Sequence, residues 1–322
     1  MAKTAETASV RAAALLPGDS VRLVSPASWF DPQRAQSGIA SLIKLGYKPE
    51  LATHALARYG QYLAGNPAQR IEDLHAAFID PTIRAVICNR GGYGSMELLS
   101  GIDLDVVRNH PKIFVGCSDI TSLQLWLHDE TGLVVFHGPM VAGDFARENG
   151  VDTANWHSAL SQDQPWQLGP ESGLRTLKPG TARGKLYGGC LSMLVASLGT
   201  PYEIQTVNTI LFLEDIGVKP YQMERMLLQL RLAGKLDDVR GIVFGAMMDC
   251  VQPGAPENLL ESVLLRTLSD FPGPVGIGLR SGHVPERNIT LPIGVECELG
   301  LNGTPALRFI EPAVMLRDRT HE

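Results

Sequence analysis

A serine that directly follows an apolar strand is the first residue whose position suggests chemistry. In KIFVGCSDITSLQLW the apolar run stops at Gly116 and a helical pattern starts almost at once, which places Ser118 on the connecting turn. A nucleophilic serine needs such a turn, because its hydroxyl must protrude near helix-start N–H groups that can receive a developing oxyanion. The strict G-x-S-x-G pattern is absent, and the simpler interpretation is that Ser118 or Asp119 caps the helix. The neighbouring Cys117 is a weaker candidate nucleophile, because a cysteine that ends an apolar strand is more often a small buried residue.

A serine nucleophile also needs a base and a carboxylate that orients the base. Among eight histidines, His137 in VVFHGPM and His283 in GLRSGHVPERN each follow an apolar strand and lie in a glycine-containing loop. A structural or a catalytic role is open for each. Glu214 and Asp215 end the apolar run TILFLED, and because side chains alternate along a strand, only one of the two can face a shared site. A solvent-facing acid pair is the alternative.

The loop RGGYGS, from Arg90 to Ser95, follows the apolar run AVICN and could cradle an anion. Its glycines let backbone N–H groups approach a carboxylate or phosphate closely. The loop matches neither G-x-G-x-x-G nor a P-loop, so a tight turn without a ligand stays open. No H-E-x-x-H spacing or Cys-x-x-Cys pair occurs, and the sequence predicts no metal site.

The elements that must position these residues follow a regular order. Apolar strands alternate with helical patterns through about residue 145, which predicts an α/β fold with an open, mostly parallel, Rossmann-like N-terminal sheet. We expect an N-terminal domain over residues 1–150 that carries the serine, a linker over 151–183 rich in Gly, Pro, Ser and Gln, and a smaller C-terminal α/β domain over 184–322. The segments VECELGLNG and ALRFIEPAV alternate as a late hairpin would.

Composition excludes several classes of protein. The 322 residues are 44% hydrophobic and 19% charged, which is globular composition. A net charge of −6 and a pI of about 5.8 argue against a nucleic-acid partner. No apolar run reaches the roughly 20 residues of a membrane helix, and five scattered cysteines suit a reducing compartment, so we expect a soluble, cytoplasmic protein.

Taken together, the segments resemble the LD-carboxypeptidase family of serine peptidases, the muramoyltetrapeptide carboxypeptidases of the S66 type. The resemblance covers nearly the whole chain. The segments that carry it, in the order of the family, are LLPGDSVRLVSPAS, YLAGNPAQRIEDLHAAFIDPTIRAVICNRGGYGSMELL, VGCSDITSLQLWL, FHGPM, GGCLSMLVASLGT, LFLEDIGVKPYQMERMLLQL and GHVPERNITLPIG. No single segment is decisive, but their joint order is highly specific.

The resemblance implies a role for each candidate. Ser118 corresponds to the family's nucleophile, Glu214 to its acid and His283 to its base, with the backbone N–H groups around Gly92 and Asp119 as the oxyanion hole. The implied reaction hydrolyses the amide between the L-centre of diaminopimelate or lysine and a terminal D-alanine in a murein tetrapeptide, during peptidoglycan recycling. The resemblance implies no metal or organic cofactor. It also implies that the protein forms a homodimer.

Three points stay open beside this resemblance. An exopeptidase must recognise the terminal carboxylate of its substrate, for which Arg90 and nearby backbone donors are candidates. A microcin-immunity type enzyme has the same three residues but cleaves a peptidyl- or aminoacyl-nucleotide, and would need an aromatic shelf that Trp156 or Trp166 could supply. A non-catalytic protein that binds cell-wall peptides is the third possibility.

Overall fold

The computed structural model describes residues 8–317, and within them the chain forms two β-sheets with α-helices packed around them. Eight α-helices lie in these residues: α1 (Pro32–Lys44), α2 (Pro67–Ile79), α3 (Leu104–Asn109), α4 (Thr121–Thr131), α5 (Thr153–Ser161), α6 (Leu191–Ala196), α7 (Pro220–Leu232) and α8 (Leu259–Thr267). None of them combines the length and the apolar character that crossing a bilayer requires.

The first sheet has six strands in the order β12, β5, β4, β3, β1, β2. Their bounds are β1 (Ser20–Val24), β2 (Lys48–Leu51), β3 (Ile83–Cys88), β4 (Ile113–Gly116), β5 (Val135–His137) and β12 (Leu291–Ile293). Strands β1 to β5 run parallel to one another, and β12 is antiparallel to β5. The predicted open, mostly parallel sheet is therefore confirmed. Its apolar strands such as IRAVIC are continuous runs because successive residues, which point to opposite faces, are almost all buried.

The second sheet has eight strands in the order β6, β14, β13, β8, β9, β10, β11, β7. Their bounds are β6 (Trp166–Leu168), β7 (Arg175–Lys178), β8 (Thr181–Cys190), β9 (Thr209–Ile216), β10 (Gly241–Met248), β11 (Val275–Ile277), β13 (Glu296–Gly300) and β14 (Ala306–Phe309). Strands β8, β9, β10 and β11 are parallel, and β13 with β14 forms the predicted late hairpin. The α/β fold class is thus confirmed.

The segment expected as a linker, residues 151–183, contains α5, β6 and β7, and its two strands pair with the second sheet. Conversely, β12 belongs to the C-terminal part of the sequence but pairs with β5 of the first sheet. The domain boundaries stay a prediction, and residues 1–7 and 318–322 of the expected domains lie outside the described residues.

Candidate active site

Ser118 lies on a strained turn between β4 and α4. It is half-buried and has a φ of +61°, a left-handed conformation that residues other than glycine seldom adopt. A short 3₁₀ turn, Ser118–Ile120, connects it to α4. Helix α4 has Ile120 at its N-cap and no side-chain capping bond, so neither Ser118 nor Asp119 has the capping role that the simpler interpretation gave them.

The glycine-rich loop after β3 packs directly against this turn. A Cβ atom on Gly91 would lie 2.9 Å from the Ser118 Cβ and 3.3 Å from the Asp119 nitrogen, so only a glycine allows the two segments to approach this closely. The next residue, Gly92, has a φ of +99°. The two backbone positions expected to donate to an oxyanion therefore belong to two segments that touch beside Ser118.

Ser95 and Asp119 hold these two segments together. The Ser95 N–H donates to the Asp119 carboxylate at 2.8 Å, and the Ser95 hydroxyl donates to the Asp119 carbonyl oxygen at 2.6 Å. Both residues are buried, and burial raises the pKa of the Asp119 carboxyl above its ordinary value. The buried carboxyl thus serves the structure of the turn.

Glu214 and His283 form a hydrogen-bonded pair at the carboxyl end of β9. The His283 ring Nδ1 lies 2.7 Å from Glu214 Oε2, and the His283 backbone N–H donates to the same oxygen at 3.1 Å. The Glu214 side chain is fully buried, whereas the ring of His283 is 21% exposed. A Cβ on Gly282, whose φ is +104°, would overlap the Glu214 carboxylate.

The pair is also electrostatically coupled. Burial alone would raise the pKa of Glu214, but the hydrogen bonds and charge of His283 outweigh burial and lower it. Burial alone would lower the pKa of His283, but the Glu214 hydrogen bond and charge outweigh burial and raise it above 6.5. The arrangement therefore favours a carboxylate beside an imidazole that accepts a proton readily.

Asp215 points away from this pair, as alternation along β9 requires. Its carboxylate accepts hydrogen bonds from the Ser192 N–H at 2.9 Å and from the Ser192 hydroxyl at 2.7 Å, at the start of α6. Cys117 is 2% exposed, and burial raises the pKa of its thiol well above the ordinary value. A neutral, buried thiol is a poor nucleophile.

The first sheet contributes a histidine to the same region. His137 ends β5, where its register partner in β4 is Gly116, two residues before Ser118. Its ring Nε2 lies 3.9 Å from Glu214 Oε1, and both side chains are fully buried. The Glu214 carboxylate therefore lies between a histidine of the first sheet and His283.

A cavity of about 230 Å³ opens beside these groups. Its lining includes Cys117, His283, Asp144 and Arg147. Arg147 Nη2 donates to Asp144 Oδ1 at 2.6 Å and to the Val284 carbonyl oxygen at 2.7 Å. Sequence reasoning missed Asp144 and Arg147, because the segment GDFARENG shows no pattern that separates them from an ordinary polar loop.

Arg90 lies outside the lining of this cavity. It is exposed, and its Nη1 donates to the Trp29 carbonyl oxygen at 2.8 Å.

Within residues 8–317 the Ser118 hydroxyl forms no hydrogen bond with the His283 ring. Such bonds often form only in the complex with substrate. The structure thus brings Glu214 and His283 into contact and Ser118 into contact with the glycine loop. Cys117, the residue before Ser118, lines the same cavity as His283.

Two tryptophans considered for a nucleobase shelf are packing residues. Trp156 is fully buried, packs edge-on against Phe145, and donates its indole N–H to the Tyr47 hydroxyl at 3.1 Å. Trp166 stacks on Phe309 with ring centroids 4.3 Å apart. In the part of the chain that the structure describes, no group of three His, Cys, Asp or Glu residues is placed to hold a metal ion.

Two family models match the two parts of this α/β chain. Residues 21–138 match the LD-carboxypeptidase N-terminal domain, and residues 183–299 match the LD-carboxypeptidase C-terminal domain. The chain belongs to the LD-carboxypeptidase family.

Three similar proteins illustrate this membership. A probable murein peptide carboxypeptidase of Bacillus subtilis (strain 168) is 39% identical over 289 residues, which span 89% of this chain and 90% of that protein. The crystal structure of a muramoyltetrapeptide carboxypeptidase from Oxalobacter formigenes has a TM-score of 0.80 and 28% identity, with 91% of this chain and 99% of that chain covered. The crystal structure of a Bacillus anthracis (strain Ames) protein, described as similar to the microcin C7 self-immunity protein MccF, has a TM-score of 0.85 and 26% identity, with 93% and 99% covered.

Proposed function

We propose that the protein is a serine LD-carboxypeptidase that removes the terminal D-alanine from murein tetrapeptides in the cytoplasm, during peptidoglycan recycling. The observation that carries the proposal is the 2.7 Å contact between His283 Nδ1 and Glu214 Oε2, at a cavity that Cys117 also lines. The names of the B. subtilis and O. formigenes relatives support the substrate class.

In the first half of the reaction Ser118 forms an ester with the substrate. The Ser118 oxygen attacks the carbonyl carbon of the scissile amide, and its proton passes to His283 Nε2. The N–H groups of Gly92 and Asp119 donate to the resulting oxyanion. Glu214 accepts the Nδ1–H bond throughout, which fixes the ring orientation and stabilises the imidazolium. The imidazolium then returns its proton to the leaving nitrogen, and D-alanine departs as the free amine, which leaves the ester and completes the first half.

In the second half the ester is hydrolysed. A water molecule then loses a proton to His283 and attacks the ester carbonyl, and the Ser118 hydroxyl is restored when the proton returns. All of these steps use side chains and backbone N–H groups of this chain, and we propose that no metal or organic cofactor takes part.

We expect the terminal carboxylate of the substrate to be recognised by an arginine or by backbone N–H donors. Arg90 follows β3 at the glycine loop, and Arg147 is a second candidate because it lines the cavity with His283. Arg147 uses Nη2 for Asp144 and Val284, and a guanidinium has five N–H donors, so donors remain for a carboxylate.

The test of the proposed function is the Ser118→Ala variant. Loss of the hydroxyl should abolish D-alanine release from tetrapeptide, measured by mass spectrometry of the products, while the thermal unfolding temperature stays close to wild type. A protein that only binds cell-wall peptides would hold the tetrapeptide equally well in both forms and release nothing in either. Release of amino acid from a nucleotide conjugate, with tetrapeptide intact, would indicate the microcin-immunity type of reaction instead.

A fluorophosphonate should label Ser118, and labelling of Cys117 in its place would contradict the assignment.

A further inference from the structure

His137 is the buried histidine that the proposed reaction does not use. Its side chain is 0% exposed, and among residues 8–317 neither of its ring nitrogens has a hydrogen-bond partner. Glu214 Oε1 is also buried, has no hydrogen-bond partner among the same residues, and lies 3.9 Å from His137 Nε2. Unpartnered buried polar atoms are rare because each one loses its hydration without replacement. A donor and an acceptor that face each other across this gap therefore call for an explanation.

The surroundings of His137 decide which nitrogen carries the proton. Nδ1 faces β8, where a Cβ on Gly189 would lie 3.3 Å away, and one face of the ring packs edge-on against Phe212 at 5.1 Å between centroids. Nε2 faces the Glu214 carboxylate. A proton on Nε2 thus has an acceptor, and closing the gap by about 1 Å gives an ordinary N–H···O bond.

We propose that His137 is a positioning residue: its neutral ring donates an Nε2–H hydrogen bond to Glu214 Oε1 and so holds the carboxylate that orients His283. The proposal rests on the Ser118–His283–Glu214 triad proposed above. It gives each Glu214 oxygen one histidine, Oε2 for His283 and Oε1 for His137.

The charge state of His137 matters for the reaction. The ionisable groups that act on its ring are Glu214 on β9 and His283 in the loop after β11. Burial, which outweighs the attraction of Glu214, lowers the pKa of His137 to about 4, so the ring is neutral at the pH where His283 works as a base. A neutral donor binds the carboxylate without cancelling its charge, and the full charge remains available to the His283 imidazolium.

The test compares two substitutions of His137. His137→Phe keeps a ring of similar size without a donor, and His137→Gln keeps an N–H donor near the position of Nε2. His128→Phe is the matched control, because the His128 ring is bound to the Leu133 carbonyl oxygen and the charged group that acts on it is Lys185. The rate of Ser118 labelling by a fluorophosphonate is measured against pH, together with kcat and KM for tetrapeptide.

His137→Phe should lower the labelling rate and kcat about tenfold to a hundredfold with KM unchanged, since a buried charge loses a hydrogen bond. The acid limb of the pH–rate profile, where the rate rises with pH as His283 loses its proton, should move to higher pH by about 0.5 to 1 unit in this variant. The reason is that Glu214 without the second donor holds the proton on His283 more strongly. His137→Gln should recover most of the rate, and His128→Phe should keep the wild-type limb. If the acid limb of His137→Phe stays at the wild-type pH, or if His137→Phe and His137→Gln lose rate equally, His137 is a packing residue and the proposal is wrong.

Two readouts separate this inference from the proposed function. Labelling requires no peptide, so a wild-type protein that is labelled at Ser118 but leaves tetrapeptide intact would overturn the substrate and keep the test of His137. Nitrogen-15 spectra of the histidine rings should show His137 neutral and protonated at Nε2 from pH 6 to 8. A proton on Nδ1 would overturn the inference even if the peptidase reaction is correct.

Discussion

A single carboxylate oxygen fixes the orientation of the proposed base. Glu214 Oε2 accepts from both the backbone N–H and the ring Nδ1 of His283, so the ring cannot rotate without breaking a charged hydrogen bond in a buried setting. Nδ1 then carries the proton, and Nε2 keeps a free lone pair. This tautomer is the one that can remove a proton from a serine hydroxyl.

The Glu214→Gln variant tests this electrostatic role through the pH profile. A base must be neutral, so kcat/KM rises with pH through the pKa of His283, which Glu214 raises above its ordinary value. Loss of the Glu214 charge should move the rise to lower pH and decrease kcat by about 10³- to 10⁴-fold. Asp215→Asn is the control, because its side chain binds Ser192. A larger movement of the rise in Asp215→Asn would assign the role to Asp215.

Arg90 and Arg147 can be separated by the form of the substrate. Replacement of the arginine that binds the terminal carboxylate by Gln should raise KM about tenfold to a hundredfold for the tetrapeptide. The same replacement should change little for a peptide whose terminus is an amide, because that peptide lacks the charge. Arg147→Gln and Arg90→Gln serve as controls for each other. Equal KM values in wild type and both variants would place carboxylate recognition on backbone donors.

At the scale of single residues, the sequence predicts positions better than contacts. Strand alternation requires that only one of Glu214 and Asp215 faces a given site, and the order of motifs selects Glu214 with His283. The contact of His137 with Glu214 could not be predicted, because it joins strands of different sheets that are far apart in the chain. Nothing in the sequence distinguishes Arg147 from other loop arginines, since its place beside His283 depends on how the loop folds.

At the scale of elements, a glycine after β11 makes room for the Glu–His pair. Gly282 has a φ of +104°, and a side chain there would occupy the space of the Glu214 carboxylate. Position 282 therefore requires a glycine for two reasons, because its backbone is left-handed and because a Cβ atom has no room there. The buried end of β9 and the loop that carries His283 fit together only because of this glycine.

Gly282→Ala should separate activity from folding. The added methyl group displaces the Glu214 carboxylate, and a misplacement of about 1 Å costs on the order of a hundredfold in kcat/KM. Strain at this φ should also lower the free energy of unfolding by about 1 to 3 kcal/mol. Gly303→Ala is the control, because a Cβ there meets no atom within 4 Å. Wild-type kcat/KM in a folded Gly282→Ala protein would contradict the tight packing of this loop.

The predictability of the elements follows from their length and periodicity. Long apolar strands that alternate with helices identify the parallel part of the first sheet, and NPAQRIEDLHAAFIDP identifies α2 through its apolar face. The structure adds a capping box at Asn66, where the Asn66 side chain accepts from the Gln69 N–H. The short strands β6, β7 and β12 carry no such signal, since three or four residues set no period. The pairing of β12 with β5 is decided by tertiary packing alone.

At the scale of the whole molecule, exposed leucines on α7 and α8 bear on oligomerisation. Leu228, Leu232 and Leu265 are 44%, 79% and 47% exposed, and the two helices pack side by side. The family resemblance implies a homodimer, and a second copy of the chain on this face would remove the leucines from water.

Light scattering after size-exclusion chromatography should give twice the 34.8 kDa of one chain. Leu232→Asp should shift the mass toward a single chain, because a charge would enter the apolar contact. Ile43→Asp, at a residue 57% exposed on α1, which packs on β2 of the first sheet, is the control. A single-chain mass for the wild-type protein would rule out the dimer, and a dimeric Leu232→Asp protein would place the interface elsewhere.

The late arrival of β12 in the first sheet has a consequence for biosynthesis. Ser118 leaves the ribosome long before His283 and before Leu291–Ile293, the strand that completes the sheet beside β5. A nascent chain thus exposes the open sheet edge of β5, and a Ser118 hydroxyl without its proposed base, until residue 293 has been translated. A chain terminated ahead of residue 283 lacks the proposed base, and with the proposed mechanism we expect it to leave peptides uncleaved.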